Sequence, residues 1–165
     1  MTTSPGTLDD GGPGESTLPP DGQRRRMLLA GLPKPVARAR AFTAQALHDW
    51  SWSADSDGVD RAVTEDIVLV VAELVANAML HAGGPLELVL DASPPRLRIE
   101  VSDGDASLPA PRRPHQPAQP GGHGLFIVQR TSDRWGAERH GQGKTIWAEF
   151  DIARLAPAGG SAGDR

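Results

Sequence analysis

The chain has 165 residues, with 17 basic against 21 acidic side chains and a formal net charge of −4 at pH 7. This length predicts a single domain, and an acidic balance without a basic arm or cluster argues against direct nucleic-acid binding. No cysteine is present, which excludes disulfides, thiolate chemistry and sulfur-ligated zinc. No apolar run approaches a membrane span and no secretory signal opens the chain, so we expect a cytoplasmic protein without membrane contact.

Both ends of the chain are predicted to be disordered. Residues 1–22 and 156–165 consist mainly of small and polar residues. They carry too little apolar surface to offset the entropy that ordering would cost. Residues 23–155 are therefore the predicted domain.

The first half of this domain predicts one strand and two helices. The segment MLLAGL (27–32) is a short strand candidate. Two prolines then open a helical pattern over 36–50 with one apolar face. A second helix is expected to begin after an N-cap at Asp60, to run over 61–80 and to end at Gly83.

Alternation of apolar and polar residues predicts four strands in the second half, namely 86–92, 96–103, 134–140 and 144–152. Between the second and third of these, a loop with five prolines over 106–122 precedes a short helix near Leu125. The order predicts an α+β fold. We expect a two-layer α/β sandwich whose mixed, mostly antiparallel sheet carries the helices on one face.

Three polar side chains recur at intervals of four within the second predicted helix. Glu73, Asn77 and His81 would stack along one stripe of an otherwise apolar helix. A buried carboxylate, amide or imidazole costs free energy unless a partner satisfies it. The stripe is therefore either the polar edge of a core helix or the face that contacts a polar ligand.

Two downstream features favour a ligand. Asp103 ends a half-apolar strand and precedes Gly104, so it could accept a hydrogen bond from a ligand amine or cap its own turn. The sequence GGHG (121–124) precedes a helix, where free backbone N–H groups and the helix dipole favour a phosphate. The spacing of these glycines is not that of a dinucleotide-binding motif.

Other catalytic and metal motifs are absent from the sequence. The GKT at 143–145 is not a P-loop, because the first glycine of that motif would fall at Glu138 and the segment leads into a strand. The histidines lack metal-ligand spacing, and no catalytic triad is recognisable. The tryptophans are expected in the core or at its edges.

In order along the chain, ELVANAMLH, SDGD, a long loop, GGHGLFIV and GKTIWAEF resemble the motifs of the GHKL ATPase and kinase superfamily. Within it, the small anti-sigma-factor serine kinases are the most similar. The resemblance covers about residues 27–152. It implies a Bergerat-type ATP-binding fold that holds ATP and Mg²⁺ between its helical layer and a lid.

The resemblance also implies roles for individual residues. Asn77 would coordinate the Mg²⁺ that bridges the phosphate oxygens, and Glu73 would be the general base for the attacking hydroxyl. His81 would lie near the phosphates. Asp103 would accept a hydrogen bond from the adenine amino group, and Thr145 would support adenine binding from the neighbouring strand.

The two glycine boxes of the superfamily are matched unequally. The second box supplies Gly122, His123, Gly124 and Leu125, whose backbone donors would lie at the phosphates. The first box reads D-x-G-x-G in the family, whereas residues 103–107 read DGDAS. The usual glycines are therefore missing, and a second acid stands near the predicted adenine site.

Two functions are open on this basis. The first is an ATP-dependent serine/threonine protein kinase that binds a sigma factor and phosphorylates a small antagonist protein. The second is a nucleotide-dependent binding module that switches partners without phosphoryl transfer. The presence of Glu73 favours the kinase, since a module does not need a base. The identity of the partner and the oligomeric state, with a homodimer among the alternatives, stay open.

Overall fold

A computed structural model describes residues 18–109 and 123–155. Its elements follow the predicted order of strand, helix, helix, two strands, helix and two strands. Their bounds are β1 Gln23–Leu28, α1 Pro35–Asp49, α2 Arg61–His81, β2 Pro85–Ser93, β3 Arg96–Asp103, α3 His123–Thr131, β4 Arg134–His140 and β5 Gly143–Asp151, followed by a 3-10 turn at Ile152–Leu155. The predicted proline-rich loop lies outside the described residues beyond Pro109.

The five strands form one open sheet in the order β1-β2-β3-β5-β4. Every strand pair is antiparallel, whereas the sequence led us to expect a mixed sheet. The crossover through α3 does link two strands of the same direction, β3 and β4. Because β5 lies between them, no parallel pair forms.

The core lies between the helices and one face of the sheet. Alternation along the strands turns one row of side chains inward, in which Leu90, Ile99 and Ala148 are 0 % exposed. Ile67 and Val71 of α2 belong to the same buried cluster, to which α1 and α3 also contribute. The predicted two-layer sandwich with helices on one face is confirmed.

The first strand begins earlier than the sequence predicted. β1 covers 23–28 rather than 27–32, and half-buried positions alternate along it with exposed ones. Arg25 is one of the half-buried residues, and its Nη1 lies 2.6 Å from Oδ2 of Asp49 at the end of α1. A run of arginines conceals the strand period, because an inward arginine can pack its apolar stem while its charged head reaches a carboxylate.

Both long helices begin close to where the sequence placed them. Asp60 caps α2, since its carboxylate accepts a hydrogen bond of 2.9 Å from the backbone N–H of Ala62, as predicted. α1 begins at Pro35. At the far end of α2, the N–H of Gly84, whose φ is 118°, donates to the carbonyl of Ala78 at 3.0 Å. The glycine gives the positive φ that this closing contact requires.

Of the helices that the structure describes, none is both long and apolar enough to cross a bilayer. The tails predicted to be disordered, 1–22 and 156–165, fall largely outside the described residues. Residues 18–22 are described and lead into β1 through a turn in which the N–H of Gly22 donates to the carbonyl of Pro19 at 2.8 Å.

Candidate functional site

The polar residues singled out in the sequence gather at one end of the sheet. Asp103 ends β3, and its register partners are Pro85 at the start of β2 and Lys144 near the start of β5. α2 leads into Pro85 through a short connection, residues 82–84. The C-terminal turns of α2, which carry Asn77, therefore lie at the same end of the sheet as Asp103.

The N-terminus of α3 belongs to this end as well. β4 finishes at His140, which pairs with Gly143 next to the site, so β4 starts at the other end of the sheet. α3 leads into that start through two residues, 132 and 133. It therefore runs away from Asp103, with its first turn on the side of the site. The free N–H groups of such a first turn are suited to binding an anion.

Asn77 is nearly buried, yet its side chain has no partner in the described part of the chain. The residue is 8 % exposed and makes no side-chain hydrogen bond to a described residue. Among these residues, no fully buried polar side-chain atom is left unpaired, so the amide must reach accessible space. An amide oxygen in that position is available to a cation and the NH₂ to an anion.

Glu73 and His81 flank Asn77 on the same helical stripe. Glu73 is half-buried one turn before Asn77, and His81 is exposed in the last turn of α2. Asn77 is thus the most buried of the three, and the stripe reaches solvent at His81, at the site end of the sheet. Of the two residues that flank Asn77, Glu73 is therefore more buried than His81.

The Asp103 carboxylate is only 1 % exposed and is held by one of its two oxygens. Oδ1 accepts from Nζ of Lys144 at 3.1 Å and from the backbone N–H of Asp105 at 2.9 Å. Oδ2 accepts no hydrogen bond from the described residues. The second oxygen is therefore available to a donor on a ligand.

The residues that replace the first glycine box are held by turns and by two cations. The backbone N–H of Ser107 donates to Oδ1 of Asp105 at 2.8 Å. Nζ of Lys144 binds the carbonyl of Asp105 at 2.9 Å, and Nε of Arg139 binds the carbonyl of Ala106 at 2.8 Å. Hydrogen bonds from the backbone and side chain of Ser107, together with the charge of Lys144, hold the pKa of Asp105 below its ordinary value. The additional acid is thus stabilised as an anion.

Thr145 lies on the other face of the sheet from Asp103. It pairs in register with Ser102, and Lys144 is the residue that pairs with Asp103. Successive side chains of a strand point to opposite faces. Thr145, for which the resemblance implies a role in adenine binding, is therefore turned away from the carboxylate. Lys144 occupies the facing position.

The second glycine box is described only in part. Gly122 lies outside the described residues, and the side chain of His123 is likewise not described. The backbone of His123 and Gly124 forms the first turn of α3. Leu125 is half-buried and packs against the hydrophobic core, which anchors that turn.

A family model for the histidine kinase-like ATPase domain matches residues 30–150. The chain belongs to this family. The matched segment contains α2, β3, α3 and the start of β5, and therefore all the described parts of the site. The relationship to the GHKL superfamily that the sequence motifs predicted is confirmed.

Among solved structures, the RsbU and RsbW domains of Rv1364c from Mycobacterium tuberculosis are similar to this histidine kinase-like ATPase domain, with a TM-score of 0.57 and 17% sequence identity. The similarity covers 82% of this chain and 33% of that one. The present chain thus spans about a third of the length of its structural neighbour. At this identity the likeness establishes the fold alone. No curated protein matches the chain significantly in sequence.

The donor set fits the Mg²⁺ that this family of ATPase domains implies. The described ranges hold no cluster of three or more His, Asp or Glu side chains that could bind a metal ion by itself. Mg²⁺ is commonly bound through one or two protein oxygens together with substrate phosphates and water. The single amide oxygen of Asn77 matches this mode of binding.

Lys144 lies beside Asp103 at the candidate site, and the sequence motifs do not predict this. The GKT segment was recognised as a strand rather than a P-loop, and β5 confirms this. The strand pattern by itself does not assign its lysine to the site. Pairing of β3 with β5 brings Lys144 to Asp103, and that pairing joins segments which are separated in the chain by α3 and β4. Alternation along β5 alone would have identified Lys144 as inward-facing, but not its partner.

Proposed function

We propose that this histidine kinase-like ATPase domain binds ATP with Mg²⁺ and acts as a serine/threonine protein kinase of the anti-sigma-factor type. Its substrate would be a hydroxyl group on a small antagonist protein, and a sigma factor would be its second partner. The family membership supports nucleotide binding. The kinase activity and the two partners are inferred from the resemblance of the sequence motifs to the anti-sigma-factor serine kinases.

The observation that carries the proposal is a pair of nearly buried side chains, each of which has a polar atom without a hydrogen-bond partner among the described residues. Asn77 is 8 % and Asp103 is 2 % exposed, and both lie at the same end of the fold. Burying such groups without partners costs free energy, and a ligand that pairs with them would remove that cost. The Asn77 amide suits a phosphate-bound cation, and Oδ2 of Asp103 suits an exocyclic amino group.

Three parts of the chain would then share the nucleotide. Asn77 would hold Mg²⁺ through its amide oxygen, the first turn of α3 would donate to the phosphates, and Asp103 would accept from the adenine amino group. Bound Mg²⁺ would neutralise charge on the phosphate oxygens. His81, at the exposed end of the stripe, would lie on the phosphate side.

Glu73 supplies the group that a binding module does not need. In transfer to a protein hydroxyl, the hydroxyl oxygen forms a bond to the γ-phosphorus while the bond from that phosphorus to the bridging oxygen of ADP breaks. ADP leaves with the electron pair of that bond, and the Glu73 carboxylate accepts the hydroxyl proton. A half-buried carboxylate one turn from Asn77 is suited to this role.

A nucleotide-dependent binding module is the second candidate. The departure of residues 103–107 from the glycine box favours it, because Lys144 and Arg139 tie the carbonyls of Asp105 and Ala106 to the β4–β5 hairpin. A segment held in this way has less freedom than glycines would give it. Such a module would bind ATP and a partner without transferring phosphate.

Phosphoryl transfer separates the two candidates. The purified chain is incubated with γ-labelled ATP, Mg²⁺ and candidate antagonist proteins, and the label on the antagonist is measured. We expect Glu73→Gln to bind ATP normally and to lose transfer. Glu65→Gln is the matched control, since Glu65 lies on the same helix with its side chain 63% exposed. Partner binding without label on the antagonist would favour the module, whereas equal label from the Glu73 variant would overturn the role of Glu73 as the base.

A further inference from the structure

The ammonium group of Lys144 is the nearest described cation to the carboxylate that is proposed to read the base. Its Nζ lies 3.1 Å from Oδ1 of Asp103 and the side chain is only 5% exposed. A lysine this deeply buried is uncommon unless it is paired. Here it is paired with an oxygen that the ligand does not need, because the proposed base contact uses Oδ2.

The ammonium group retains a donor after its protein contacts are counted. A lysine ammonium carries three N–H groups. Two are directed to Oδ1 of Asp103 and to the carbonyl of Asp105. No third acceptor for Lys144 is present among the described residues. Among the described residues, Oδ2 of Asp103 is therefore an acceptor without a partner, and one N–H of the Lys144 ammonium is a donor without a partner. The two residues occupy paired positions on the inward face of β3 and β5.

This donor and acceptor match one edge of adenine. The 6-amino group of adenine donates, and the adjacent ring nitrogen N1 accepts. We propose that Lys144 donates a hydrogen bond to N1 of the bound adenine while Asp103 accepts from the 6-amino group. The inference rests on the nucleotide binding proposed above and makes Lys144 a residue that determines base specificity.

The same pair disfavours a 6-oxo purine in the same orientation. Guanine and hypoxanthine present a carbonyl oxygen where adenine has its amino group, and an N–H where adenine has N1. The carbonyl would then face the Asp103 carboxylate, and the N–H would face the Lys144 ammonium. The first contact would bring two acceptors together and the second would bring two donors together. Two contacts rather than one therefore discriminate between adenine and a 6-oxo purine.

A purely structural role for Lys144 makes a different prediction. If Lys144 only neutralised Asp103 and held the carbonyl of Asp105, removing N1 from the nucleotide would not alter binding. The two roles are separated by changing the ligand rather than the protein. The probes are ATP, 1-deaza-ATP, which lacks the N1 acceptor, and 7-deaza-ATP, which lacks a ring nitrogen at another position.

Titration calorimetry of the full chain with Mg²⁺ and each probe tests the proposal. We expect 1-deaza-ATP to bind about tenfold or more weakly than ATP, since it leaves a charged donor without its acceptor. We expect 7-deaza-ATP to bind like ATP. In Lys144→Met, ATP should bind more weakly and the difference between ATP and 1-deaza-ATP should disappear. Lys34→Met, which changes an exposed lysine, should retain the wild-type difference.

Each outcome of this titration has one meaning. Equal binding of ATP and 1-deaza-ATP by the unmodified chain overturns the N1 contact while leaving nucleotide binding intact. An undiminished difference in a folded Lys144→Met variant overturns the assignment to Lys144. If that variant does not fold, the ligand series on the unmodified chain still decides whether N1 is bound. A complete absence of ATP binding overturns the proposed function, and this inference with it.

Discussion

Lys144 and Asp103 face each other across β5 and β3, with Nζ 3.1 Å from Oδ1 and side chains that are only 5% and 1% exposed. Removing one partner of a buried ion pair leaves an uncompensated charge and costs about 3–5 kcal/mol. We expect Lys144→Met to lower the free energy of unfolding by about that amount. Adding Asp103→Asn should restore part of the loss. Urea unfolding of both variants measures this.

The control for that experiment is the other lysine of the chain. Lys34 is exposed at the start of α1, and Lys34→Met should leave the unfolding midpoint close to that of the wild type. A Lys144→Met variant as stable as the wild type would show that the pair does not stabilise the fold.

Asp103→Asn should reduce the preference for adenine. The substitution replaces one carboxylate oxygen with an NH₂ group. It also removes the negative charge that strengthens the proposed hydrogen bond from the 6-amino group. We expect ATP affinity to fall about tenfold or more and GTP affinity to change far less. Competition between ATP and GTP, measured with and without the substitution, gives the ratio. Equal binding of the two nucleotides by the wild type would argue against base reading by Asp103.

Gly136→Ala should destabilise the sheet. A Cβ at this position would lie 2.7 Å from Cζ2 of Trp147. The indole cannot easily move away, because the guanidinium of Arg98 packs 4.2 Å from its ring centroid. Overpacking of this kind costs about 1–3 kcal/mol, which thermal or urea unfolding resolves. Gly104→Ala has open space around the new methyl group and should be nearly neutral for stability.

The charged face of the sheet should make stability depend on pH through Glu149. Burial acts to raise the pKa of this carboxyl, but hydrogen bonds from Arg134 and Arg98 outweigh it and hold the pKa below its ordinary value of 4.5. A carboxyl with a lowered pKa stabilises the folded state above the unfolded-state pKa, and the contribution is lost as pH falls through the folded-state pKa. We expect the free energy of unfolding to decrease below about pH 4.5.

Glu149→Gln tests that assignment when urea unfolding is repeated across the acid range. The decrease in the free energy of unfolding should be smaller in this variant than in the wild type. Glu138→Gln serves as the matched control, since Glu138 lies on the same face but is 56% exposed and 3.8 Å from Arg98. A Glu149 variant with the wild-type pH profile would assign the acid sensitivity to other carboxyls.

Local signals in the sequence predicted most of the fold. The strict alternation of RLRIEVSD predicted both ends of β3, and the cap at Asp60 predicted the start of α2, because each signal depends on neighbours in the chain. β1 was placed too late, since its inward Arg25 is satisfied by Asp49, which lies beyond the range of any local pattern.

The site was predictable in part for the same reason. Glu73, Asn77 and His81 share a helix, so their common stripe follows from helix geometry. The pairing of Lys144 with Asp103 depends instead on which strands are neighbours in the sheet. The alternation of β5 turns Thr145 away from Asp103, yet only the register with β3 shows that Lys144 faces that carboxylate. Long-range pairing of this kind has no signature in a single sequence.

Titration of Mg²⁺ and ATP into the purified chain by calorimetry tests the central claim most directly. The account predicts saturable binding at one site per chain that weakens when Mg²⁺ is removed. It also predicts that Asn77→Ala abolishes the Mg²⁺ dependence, whereas Gln45→Ala, a truncation of an exposed amide on α1, preserves it. Absence of any heat or thermal shift with ATP, or an Asn77→Ala variant that binds ATP with unchanged affinity and unchanged Mg²⁺ dependence, would contradict it.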